Sequence, residues 1–92
     1  MKPYTLTSET GVKMDFKLDI AKIVEAEEKD PTYSFFKDAE SMDTNPRFSA
    51  LNRICTYVGT TYEEFIDAGF SIGQLAEILE KCLENAGFRS DS

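Results

Sequence analysis

Hydrophobic residues recur every three or four positions between residues 71 and 88, which is the pattern of an amphipathic helix. Ser71 and Gln74 can form a capping box at its start, and Gly87 can adopt the left-handed backbone conformation that ends a helix. Phe88 can then fold back on the apolar face. Because a one-sided helix is stable only when that face is covered, we expect the rest of the chain to pack against it. The predicted apolar face consists of Ile72, Leu75, Ala76, Leu79, Cys82, Leu83 and Ala86.

A β-hairpin is predicted over residues 4–18. Apolar and charged residues alternate strictly over residues 12–18, so this second strand has one apolar and one charged face. Residues 4–7 form the predicted first strand, and the turn between the two strands contains Gly11. An isolated hairpin is marginal in water, so its apolar face should lie on helices or on another chain.

A helix is predicted directly after the hairpin, over residues 20–29. Asp19 is suited to cap its first turn. Asp30-Pro31 ends it, and the proline is also suited to the first turn of a following helix. The residues expected to face inward are Ile20, Ala21, Ile23, Val24 and Ala26.

The middle of the chain is predicted to contain an aromatic segment, a loop and two helices. Tyr33, Phe36 and Ala39 share one face, with Phe35 beside them. Residues 40–45, ESMDTN, are polar and irregular, which predicts a mobile loop. A helix follows Asn45-Pro46 and is closed by Gly59, with an apolar stripe of Phe48, Leu51, Ile54, Cys55 and Val58.

The last short helix before residue 71 has two overlapping capping boxes, Thr60 with Glu63 and Thr61 with Glu64. Phe65 and Ile66 anchor it, and it ends at Gly69. The sequence therefore predicts an α+β fold, mainly helical, with an N-terminal β-hairpin followed by four to five short-to-medium helices. We expect a single domain over residues 1–92, made of a hairpin (4–18), a helical part (20–88) and a tail (89–92).

A formal charge of -7 limits the classes of partner. Nucleic acid and anionic membranes call for basic patches, so neither is expected as a partner. A protein partner fits better, and a basic one would complement the negative charge. The first residues lack the apolar run of a signal peptide, and no stretch approaches the roughly 20 apolar residues of a membrane helix, so we expect a cytoplasmic protein.

The residue types argue against catalysis. The chain has no histidine, which removes histidine-dependent triads and histidine metal sites. Cys55 and Cys82 are too far apart in sequence for a structural zinc pair and are expected in the core. The clustered carboxylates are expected on solvated helix faces. We therefore expect no enzyme and no catalytic, cofactor-binding or metal-ligating residue.

The order of these elements resembles the tail assembly chaperones of long-tailed bacteriophages and related prophages. A strand runs straight into a helix in FKLDIAKIVEAEEK, residues 16–29. The segments SFFKDAE and RFSALNRICTYVG follow in the family's order. The TYEEF of residues 61–65 and the GFS of residues 69–71 look like the turn that precedes the family's final helix. The similarity covers roughly residues 4–86.

The resemblance implies a non-enzymatic cytoplasmic factor that is absent from the mature virion. Such a factor binds the tape measure protein, keeps it soluble and promotes assembly of the tail tube around it. The tail tube protein and a second copy of the chain are further partners to consider. On this hypothesis the contact surface is aromatic; the alternative is that most of these side chains belong to the core of a small domain. The candidate contact residues are Phe35, Phe36, Phe48, Tyr62, Phe65 and Phe70.

A second interpretation comes from the charge. A small acidic phage-type inhibitor or regulator could bind a basic protein surface by mimicking nucleic acid. Glu77, Glu80 and Glu84 would then form a line of charge along the last helix. Lysines scattered through the first half of the chain dilute any continuous acidic stripe.

Overall fold

The chain folds as an antiparallel β-hairpin followed by five helices, which confirms the predicted α+β class. A computed structural model describes residues 1–88, and the predicted tail at residues 89–92 lies outside the described residues. The elements are β1 (Tyr4–Thr7), β2 (Lys13–Phe16), α1 (Ile20–Lys29), α2 (Phe35–Thr44), α3 (Phe48–Tyr57), α4 (Tyr62–Asp67) and α5 (Ile72–Asn85).

The hairpin leads directly into the helical part. Tyr4 pairs with Phe16 at its open end, and β2 is shorter than predicted because the backbone after Phe16 turns towards the end of α3. The N–H of Lys17 donates to the carbonyl of Val58 at 3.2 Å, and the N–H of Asp19 donates to the carbonyl of Tyr57 at 2.7 Å. These bonds tie the start of α1 to α3.

Three phenylalanines from distant parts of the chain form the aromatic centre of the core. The ring of Phe16 meets those of Phe65 and Phe70 edge to face, with centroids 6.1 and 5.7 Å away. Phe65 and Phe70 stack on each other at 5.0 Å. Edge-to-face and offset arrangements of this kind stabilise a core beyond the burial of area alone. The hairpin and the α4–α5 region therefore share one interior.

The turn of the hairpin is anchored on the end of α4. The hydroxyls of Ser8 and Thr10 both donate to the carbonyl of Ala68, at 2.6 and 2.7 Å. The next residue, Gly69, has φ +97°, in the left-handed region where glycine is favoured. This contact spans about sixty residues of sequence and satisfies a carbonyl at a helix end.

The predicted mobile loop at residues 40–45 is wrong, because α2 continues to Thr44. Phe35, Ala39 and Met42 are spaced four and three residues apart, so they lie on one side of the helix and face the core. The packing of this side stabilises the helix even though residues 40–44 are mostly polar. The suggestion that Pro31 opens this helix is also wrong. Ser34 is the N-cap, and its side chain accepts a hydrogen bond from the N–H of Lys37.

The final helix begins and ends as predicted. The reciprocal capping box between Ser71 and Gln74 is present. At the other end the N–H of Phe88 donates to the carbonyl of Leu83, and that of Gly87 donates to Glu84, which is the Schellman pattern. The predicted apolar face omits Ile78, which is fully buried, and includes Ile72, which is exposed.

Two other predictions, one on the inward face of α1 and one on the cap of α4, need correction. On α1 only Ile23 is buried and Ala26 half-buried, whereas Ile20 and Val24 are exposed. Of the two candidate caps for α4, Thr61 is the one used: its hydroxyl accepts from the N–H of Glu64.

Candidate partner-binding surface

The structure divides the six candidate contact residues into two groups. Phe35, Phe65 and Phe70 are buried in the core and present no ring to a partner. Phe36 and Phe48 are exposed, and Tyr62 is half-buried. Only the second group, Phe36, Phe48 and Tyr62, is placed to contact another molecule.

Phe48 is the most exposed of these aromatic residues, with 78% of its surface accessible. It is the first residue of α3, and its ring lies 6.0 Å from that of Tyr62, the first residue of α4. Ile66 follows Tyr62 by one helical turn and is also exposed. We call Phe48, Tyr62 and Ile66 the Phe48 patch. The side chain of Asn52 on α3 accepts a hydrogen bond from the N–H of Tyr62 at 3.0 Å, which connects the two helices below the patch.

A second aromatic surface lies on α2. Phe36 is 54% exposed, and its ring is 6.2 Å from that of Phe88. The same ring contacts buried Phe35 at 5.2 Å. Phe36 therefore lies beside two rings of its own chain, whereas Phe48 lies beside one, that of Tyr62.

A polar network joins α2 and α3. Arg53 donates from Nε and Nη2 to the two carboxylate oxygens of Asp38, at 2.8 and 3.0 Å. The hydroxyl of Tyr57 donates to that of Tyr33, which donates to Asp38 at 2.7 Å. Burial opposes the charge on Asp38, but the hydrogen bonds from Arg53 and Tyr33 outweigh it and hold the pKa of the carboxyl below its usual value. The pKa of Tyr33 is raised, mainly by burial of its hydroxyl and further by the hydrogen bonds with Tyr57 and Asp38. The network stabilises the packing of the two helices.

The predicted line of carboxylates on α5 is only partly free. Glu77 accepts a hydrogen bond from the hydroxyl of Tyr4 at 2.6 Å, which raises the pKa of that tyrosine. Glu84 lies 4.0 Å from the ammonium of Lys81. Glu80 is exposed.

Both cysteines are buried, free thiols, as the sequence predicts for core residues. Burial raises the pKa of Cys55 to about 12 and that of Cys82 to about 11. Neutral thiols at these positions are poor nucleophiles and poor metal ligands.

Sequence reasoning missed two parts of this surface. It assigned Ile66 to the interior together with Phe65, although the two are adjacent on a six-residue helix and point to different sides. It also missed the pairing of Asp38 with Arg53. Successive residues of a helix are separated by about 100°, which could have placed Ile66 on a different side from Phe65, whereas nothing local in the sequence marks the ion pair.

Within residues 1–88, no helix is long and apolar enough to cross a membrane, and no group of three or more acidic or cysteine side chains is placed to hold a metal ion. Comparisons of the chain with models of protein families, with curated proteins and with solved structures find no match.

Proposed function

We propose that this protein is a tail assembly chaperone of the long-tailed phage type. It binds the tape measure protein, keeps that protein soluble in the host cytoplasm, promotes assembly of the tail tube around it and is absent from the mature virion. The observation that carries the proposal is the exposure of Phe48 beside Tyr62 on an otherwise acidic protein. Contiguous exposed apolar side chains on a small domain mark sites of protein contact.

The Phe48 patch is suited to bind the apolar face of an amphipathic helix. Phe48 projects from the start of α3, so its ring can insert between the apolar side chains of a bound helix. Aromatic anchors of this kind supply a large share of the free energy of binding. The family resemblance implies that the tape measure protein is a long helical chain with apolar stripes, and the formal charge of -7 would keep a complex with it in solution.

The test is coexpression with the tape measure protein encoded in the same gene neighbourhood. The soluble fraction of that partner, and its copurification at high salt, are measured with the wild type, Phe48→Ala and Val24→Ala. Val24 is a matched control because it is an exposed apolar residue on another helix, α1. We expect Phe48→Ala to reduce the soluble fraction severalfold and Val24→Ala to leave it unchanged, with circular dichroism showing both variants folded.

Equal solubility with Phe48→Ala and the wild type would contradict the proposal. The acidic-inhibitor alternative makes a different prediction, namely capture of a basic nucleic-acid enzyme that is lost as salt rises, because exposed charge pairs are screened. That result would replace the chaperone proposal.

A further inference from the structure

An open groove of about 460 Å³ lies between α2 and α5, and its lining includes no residue of the Phe48 patch. Its floor is apolar, with Met42 and Leu79 buried at its base. Small side chains on both helices, Ala39 and Ala76, leave the space open. A concave apolar surface of this volume is in the range of natural binding sites.

The sides of this groove are acidic. Asp43 on α2 and Glu77 and Glu80 on α5 line it, and the described lining residues include no lysine or arginine. The hydrogen bond from Tyr4 holds Glu77 in place as an acceptor. Asp43 also lies in the last turn of α2, where the helix dipole is negative and no basic residue offsets it.

We propose that the α2–α5 groove binds a basic amphipathic helix of a partner protein. An apolar side chain of that helix covers Met42 and Leu79, while flanking lysines or arginines pair with Asp43 and Glu80. A simple cation would leave the floor uncovered, and an apolar or acidic helix would desolvate the carboxylates without a counterion. The lining residues of α5 run from Ala76 to Leu83, or about 10 Å of helix, which fits two turns of ligand. The proposal stands whether or not the tape measure protein binds the Phe48 patch.

Methionine methyl NMR tests the site directly. The chain has three methionines, and of these Met42 lines the groove whereas Met14 lies on β2. The probe is a synthetic helical peptide with leucines along one face and lysines on both flanks. We expect titration of this peptide to shift the Met42 methyl signal and to leave Met14 in place. A peptide with glutamate at every lysine position should cause no shift.

Charge reversal provides the second measurement. Asp43→Lys combined with Glu80→Lys should weaken binding of the basic peptide about tenfold or more in fluorescence anisotropy. The control combines Glu28→Lys with Glu63→Lys, two exposed glutamates outside the groove lining, which makes the same change in net charge. An unshifted Met42 signal would overturn the proposal, and so would equal weakening by the control pair, since binding would then follow net charge alone. An unchanged Met14 signal shows that each variant is folded.

Discussion

The hydroxyl oxygen of Thr10 lies 2.6 Å from the position that a Cβ atom at Gly69 would occupy. A side chain at residue 69 would therefore displace the hairpin turn as well as strain a backbone at φ +97°. We expect Gly69→Ala to lower the free energy of unfolding by about 2–4 kcal/mol in urea denaturation.

Gly59 provides the matched control for this substitution. Its φ of +103° is similar, but nothing lies within 4 Å of a Cβ placed there. Gly59→Ala should therefore lower the free energy of unfolding through backbone strain alone, by about 1–2 kcal/mol. Equal losses at the two glycines would show that contact with Thr10 contributes nothing.

The division of the aromatic residues predicts opposite effects on stability. Phe65 is fully buried between Phe16 and Phe70, so Phe65→Ala should lower the free energy of unfolding by about 3–5 kcal/mol. Phe48→Ala removes an exposed ring and should cost less than about 1 kcal/mol. Thermal denaturation of the two variants measures the difference. A large loss with Phe48→Ala would place that ring in the core rather than on a free surface.

The carboxylate of Asp38 should make stability depend on pH. Because its pKa in the folded protein is below the ordinary value, its charge stabilises the fold above about pH 4, and this contribution is lost as the pH falls through the folded pKa. Asp38→Asn should cost about 1–3 kcal/mol at neutral pH, and the deficit should shrink in acid. Asp67→Asn, at an exposed position, removes one carboxylate from the surface and is the control for the change in net charge. If the loss of stability caused by Asp38→Asn were the same at every pH, the charge of Asp38 would have no role in stability.

The buried thiols should react only when the protein opens. In the native protein we expect Cys55 and Cys82 to react with a thiol reagent at least about a hundredfold more slowly than in urea, because both are buried and un-ionised. A cysteine at an exposed position, Glu28→Cys, should react at once in the same native sample. Native Cys55 or Cys82 reacting at the rate of that control would contradict the burial.

Local patterns were sufficient to predict most element boundaries. The box of Ser71 with Gln74, the cap at Asp19 and the glycine at residue 87 each act within one turn of a helix, so their residue types are informative by themselves. The end of α2 could not be predicted in this way. Met42 is its one large apolar residue after Ala39, and its burial depends on core residues from other elements of the fold.

The surface was less predictable than the fold. Phe48 and Leu51 both belong to one helical stripe, yet Phe48 is exposed and Leu51 is buried, because the buried part of α3 begins only at Ala50. Hydrophobic spacing identifies the face of a helix but not how far along that face its neighbours reach. The pairing of Asp38 with Arg53 likewise depends on how two helices meet.

The anchoring of the hairpin turn on Ala68 also constrains the order of events during synthesis. The ribosome makes β1 and β2 first, but the rings that cover Phe16 and the carbonyl that binds Ser8 and Thr10 belong to residues 65–70. A nascent chain that lacks residues 65–70 has no core against which the hairpin can pack. Folding of the hairpin must therefore wait until residues 65–70 have left the ribosome, and chains released before that point should be substrates for cellular proteases.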